Sequence, residues 1–133
     1  MVLGAALVLL APACGGSPST PGSGSSIAGV WEGAWTSVLL GGTSPLRAVL
    51  TQSGSAVRAN VLFIEHLCIG GVEMTGSVSG QDIDLTGTIP VLGGRLDLTG
   101  TIAPDRRTMG GGYATTEQRP CPADGGTWTL TRR

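Results

Sequence analysis

The sequence predicts an all-β domain, an antiparallel meander of about eight short strands forming a small closed or nearly closed up-and-down barrel. Three observations carry this. One short phrase is spelled three times, as Met74-Thr75-Gly76-Ser77-Val78, Leu85-Thr86-Gly87-Thr88-Ile89 and Leu98-Thr99-Gly100-Thr101-Ile102. Around these copies apolar residues fall on every second position, the period of a strand with one dry and one wet face. Only short turn-forming stretches such as Ser79-Gly80-Gln81-Asp82 separate them, so consecutive strands join by tight hairpins and pair antiparallel.

The chain of 133 residues begins with an apolar run over residues 2–11, followed by Pro12-Ala13-Cys14. Ten such residues are too few to cross a bilayer as a helix but match the apolar core of an export signal. The small residues before Cys14 are similar to the bacterial lipoprotein signal, which is cut immediately before a cysteine that receives the lipid. The expectation is a signal peptide over residues 1–13 and a lipid on Cys14; an ordinary cleavage after Ala13 is the alternative. No Lys or Arg precedes the run, and the expectation from this is a true start upstream of Met1. Residues 15–26 are only Gly, Ser, Pro and Thr, a composition that buries nothing and behaves as a flexible tether. The folded domain is expected over residues 27–133.

Within the domain the alternation assigns the strands in turn. Residues 27–36 place Trp31 and Trp35 on one face. Leu46, Ala48, Leu50 and Gln52 define the second strand, and Val57, Ala59, Val61 and Phe63 the third. Leu62 and Ile64 make that third stretch apolar on both faces, which suggests cover by another segment. The three repeats supply strands four to six. Met109, Gly111 and Tyr113 mark the seventh, and Trp128 and Leu130 the eighth. Helical spacing is never sustained. Eight such strands leave two edges to hide, and pairing the first with the last hides both. Glycines at 33, 76, 87, 100 and 111 sit mid-strand on the apolar face, where a missing side chain permits tight coiling. A two-sheet sandwich of the same strands is the structural alternative.

The run Gly29-Val30-Trp31 on the first strand, with Arg132 on the parity of Trp128 and Leu130 in the last, resembles the calycin type of barrel. That group includes lipocalins, fatty-acid-binding proteins and avidins. The resemblance implies that Arg132 packs over the Trp31 indole and closes one end of the barrel. The longer run, Gly29-Val30-Trp31-Glu32-Gly33-Ala34-Trp35 followed by Leu50-Thr51-Gln52-Ser53-Gly54 and the repeated Thr-Gly pairs, is also similar to small bacterial lipoprotein domains.

Charge excludes one class of partner. The formal net charge is −1 and the eight basic residues, all arginines, form no stripe, so nucleic-acid binding lacks its electrostatic driving force. With Cys14 assigned to lipid, Cys68 and Cys121 remain, and an oxidising compartment favours a disulfide between them. A metal site joining them to His66 is the rival, without a recognised zinc spacing. His66, the only histidine, invites a catalytic reading with Glu65. No Gly-x-Ser-x-Gly elbow accompanies it, and a polar hairpin tip is the plainer expectation. Asp84 and Asp97 fall on the solvent parity, which argues solubility rather than calcium. No catalytic residue, metal or cofactor is assigned.

The aromatics fall on the inner parity. Trp35, Phe63, Tyr113 and Trp128 are the expected lining of a pocket for a small apolar or amphipathic ligand, unless they simply fill the interior. The expectation is therefore a non-enzymatic protein, exported and lipid-anchored to the bacterial cell envelope, at the outer membrane facing the periplasm or the cell surface, touching the membrane only through its anchor. The alternative is a protein-interaction module, such as a periplasmic protease-inhibitor-like barrel, using the loops around Leu39-Leu40-Gly41-Gly42-Thr43 and Gln118-Arg119-Pro120-Cys121-Pro122. A filled barrel with an exposed apolar loop patch is the observation that would favour it.

Overall fold

A computed structural model describes residues 26–133. The expected export signal, the lipidation of Cys14 and nearly all of the tether lie outside the described residues. Eight strands follow one another: β1 (Gly29–Ser37), β2 (Thr43–Ser53), β3 (Ala56–Phe63), β4 (Gly70–Ser79), β5 (Asp82–Thr88), β6 (Arg95–Ile102), β7 (Thr108–Thr115) and β8 (Gly125–Arg132). Each pairs antiparallel with the next, and β1 pairs with β8, from Trp31 opposite Arg132 to Ser37 opposite Gly126. The sheet is thus a closed barrel in simple meander order, with no helix among the described residues.

Alternation decides which residues enter the core. In β3 the burial pattern is strict, with Val57, Ala59, Val61 and Phe63 inside and their neighbours outside. The dyad continues through β2 and β5, so that one face of every strand meets the axis. An eight-stranded barrel is just wide enough for side chains to fill. Trp31, Phe63, Leu46, Met74 and Leu96 are among the largest side chains wholly removed from solvent there. The two-sided reading of β3 is corrected: Leu62 faces outward and is 42% exposed, and Ile64 is half-buried beyond the strand's end. Its apolar character reflects the outer wall rather than an overlying segment.

The mid-strand glycines have two jobs. A Cβ on Gly76 would strike the Asp84 carbonyl of β5, so the coiling of β4 against β5 demands its absence. A Cβ on Gly100 would lie 2.6 Å from both the Gly110 carbonyl oxygen and Cζ2 of Trp128, so here the glycine makes room for a neighbouring strand and an indole together. Gly100 also faces Gly111 across the β6–β7 ladder, and Gly111 faces Trp128 across β7–β8.

The two ends of the barrel differ. At one end the Arg132 guanidinium sits 4.9 Å from the centroid of the Trp31 ring and donates to the Ser26 carbonyl. The Trp31 indole N–H donates to the Ile27 carbonyl at 2.9 Å, and Ile27 itself is fully buried. The other end carries the four loops at residues 38–42, 64–69, 89–94 and 116–124.

Candidate functional site

The loop end is built on a buried polar cluster. Asp124, just before β8, collects the hydroxyl of Ser37 on Oδ1 at 2.7 Å, and on Oδ2 the hydroxyl of Tyr113 at 2.9 Å and Nε2 of His66 at 3.0 Å. Its backbone is locked to β7: Asp124 N–H donates to the Thr115 hydroxyl, and Thr115 N–H donates to the Asp124 carbonyl. The polar-tip expectation for His66 is corrected. The ring is inside, with its side chain 3% exposed, because the loop at 64–69 folds back over the barrel mouth.

The ring's tautomer follows from its partners. Nδ1 accepts the backbone N–H groups of Cys68 at 3.1 Å and Ile69 at 3.2 Å, so the proton resides on Nε2 and is donated to Asp124. Both nitrogens are then committed. Ser37 and His66 lie side by side on the same carboxylate rather than in series, and the serine hydroxyl has no hydrogen bond to the imidazole. The residue types of a serine hydrolase are present, but not the relay that would activate the nucleophile.

Electrostatics fit a fixed, ionised carboxylate. Burial pushes the Asp124 carboxyl up, but hydrogen bonds from His66, Ser37, Tyr113 and the Gly125 backbone outweigh it and hold the group below its ordinary value. Tyr113 moves the other way. Burial first, then its hydrogen bond to Asp124 and the adjacent negative charge, raise the phenol above its ordinary value.

Around this cluster the loops are tied together. Cys68 and Cys121 form a disulfide that joins the loop at 64–69 to the loop at 116–124. Gln118, 5% exposed, donates to the Cys68 carbonyl and accepts from the Gly94 backbone at 3.1 Å, fastening a third loop. The Ser37 hydroxyl accepts the Leu40 N–H at 3.0 Å and fastens the fourth. Among the described residues, no group of three His, Cys, Asp or Glu side chains is placed to hold a metal ion.

The residues expected to line a pocket pack instead against one another. Trp35 lies 5.9 Å from Phe63 and 4.8 Å from His66, and Phe63 lies 5.2 Å from Tyr113, edge-on. The Trp35 indole donates to the Ile64 carbonyl. Trp128 stands opposite Trp35 in the ladder, and its indole donates to the Gly112 carbonyl. All four are at least 96% buried. Shallow recesses on the outer wall are lined by outward residues such as Arg47, Asn60, Glu73 and Asp84, and none of them includes these aromatics.

A different recess, of about 190 Å³, opens at the loop end. Its walls are Leu39, Leu40, Leu67 and Pro122, and its floor is formed by Cys68 and the His66–Asp124 pair with Thr115. The loops at this end also carry Val38, at 84% exposure, and Val91, which is fully exposed. Val91 also has φ +74°, a left-handed conformation that costs a β-branched residue about 1–3 kcal/mol. Leu39 belongs to a loop singled out from sequence, but Leu67, Val91 and Asp124 were not anticipated. The chain matches no protein-family model, and no curated protein matches it.

Proposed function

We propose that this is an exported, lipid-anchored envelope protein whose barrel serves as a docking module for another protein, with the loop end as its contact surface and no enzymatic activity. One observation carries the reading. Among the described residues, six of the eight exposed large apolar side chains, Val38, Leu39, Leu40, Leu67, Val91 and Leu92, sit on three loops at one end, above an interior filled by other residues. Exposed apolar side chains so concentrated mark an interaction surface. They contribute nothing to the core, and the backbone beneath them is held by the disulfide, Gln118 and Ser37. Cys68–Cys121 fits an oxidising compartment, in keeping with export.

The test is cross-linking in producing cells. The wild-type chain should trap a protein partner that a Leu39→Asp, Leu67→Asp double variant no longer traps. Identical partners for both would sink the docking role. Acyl labelling that vanishes on Cys14→Ser tests the anchor separately. The recess of about 190 Å³ supports a second reading, a small apolar ligand held at the mouth rather than along the axis. A co-purifying small molecule in native mass spectrometry would favour it.

A further inference from the structure

We propose that the loop-end recess receives a single apolar side chain, of phenyl or branched aliphatic size, flanked by a basic residue of the partner protein. This rests on the docking reading above and names the contact. An apolar cavity of about 150 Å³ accepts benzene, so a recess of about 190 Å³ has the volume for one such side chain. The anatomy is that of an interface hot spot: a concave apolar pocket with a rigid floor, surrounded by aliphatic side chains that would exclude water on contact. The disulfide and Gln118 hold the walls in place before binding, which lowers the ordering cost of association.

Charge selects the flanking residue. The four loops carry three carboxylates, Glu65, Glu117 and Asp124, against one arginine, Arg119, which already lies 3.4 Å from Glu117. His66 offers no free donor to a second carboxylate, because its Nε2–H is given to Asp124. Among the described loops, the apolar tips at 38–42 and 89–94 contain no charged residue at all. The mouth is therefore apolar with an excess of negative charge. It complements a lysine or arginine beside the inserted side chain and is repelled by an anionic lipid surface, which decides between a protein and a bilayer as occupant.

The probes are three synthetic pentapeptides, Gly-Lys-Phe-Lys-Gly, Gly-Glu-Phe-Glu-Gly and Gly-Lys-Ala-Lys-Gly, titrated into the isotope-labelled full chain and followed by amide NMR. The first should shift Leu39, Leu40, Leu67 and Cys68 and bind at least tenfold more tightly than the other two. Leu67→Arg, at a position 90% exposed and so tolerated by the fold, should abolish that preference. Equal binding of all three peptides, or shifts confined to the outer wall, would overturn the proposal. A photo-cross-linker placed at position 67 in cells separates the two readings. A cross-link to an apolar residue beside a Lys or Arg on the partner supports the inference. A partner cross-linked through an acidic or wholly polar segment overturns the inference and leaves docking intact, whereas cross-links only to lipid or to a second copy of this chain overturn both.

Discussion

Asp124 gathers two hydroxyls and an imidazole N–H, so its removal strands three buried donors at once. Asp124→Ala should cost about 3 kcal/mol in urea unfolding, the scale of breaking a buried hydrogen-bonded charge. Its pH signature has a definite sign. The folded carboxyl titrates below its ordinary 3.8, so between the two values the unfolded chain binds the proton and the folded chain does not. The stability it contributes is complete above about pH 4 and is lost as the pH falls through the folded value. Tyr113 gives the opposite slope. Its folded phenol holds the proton above the ordinary 10.0, so stability declines as the pH rises beyond about 10. Urea midpoints from pH 2 to 11 should show both shoulders, and Asp124→Asn should flatten the acid one. An acid limb unchanged by the substitution would refute this account. The cluster was not legible from periodicity, because the two residues that join it, His66 and Asp124, lie in loops where no alternation applies. The signal lay in the cysteines. A disulfide between Cys68 and Cys121 draws together His66, two residues before one cysteine, and Asp124, three after the other.

The strands themselves were readable because a half-buried strand writes its two faces into the sequence with period two. The repeats gave β4 to β6, and the aromatic parity gave the interior positions of β1, β3, β7 and β8. What parity does not reveal is how far a side chain reaches across the barrel, so the interior could be expected filled or hollow with equal consistency. Gly100 shows why. Its missing side chain is occupied by Trp128 from two strands away, a relation visible only after closure. Gly100→Ala should therefore cost roughly 1–3 kcal/mol through overpacking against that indole and the Gly110 carbonyl. Gly112→Ala, where a Cβ would lie an ordinary 3.4 Å from the Gly126 carbonyl, should cost less. Equal unfolding midpoints for the two variants would contradict this packing. For the loops, Cys68→Ala with Cys121→Ala removes a link spanning 53 residues and should lower stability by about 4 kcal/mol on the chain-entropy estimate.

On the scale of the whole molecule, one end is sealed by Arg132 over Trp31 while the other exposes aliphatic tips. Substitutions should report that division of labour. Leu67→Asp should change the unfolding free energy by less than about 0.5 kcal/mol, since an exposed tip supports no core. Arg132→Ala should cost about 1–2 kcal/mol through the lost cation–π contact and stem packing. A strongly destabilised Leu67→Asp would mean that the tips serve the fold rather than a partner. The pairing of β1 with β8 has one more effect, on the order of assembly. Trp31 must wait for Arg132, about a hundred residues later in synthesis, before its strand has a neighbour on that side. Until then a nascent chain carries a bare, twisted ribbon with adhesive margins, and contacts of such long range make folding slow. Ribosome-bound or truncated chains lacking β8 should consequently clump or bind chaperones, and become protease-resistant only when the final strand is supplied.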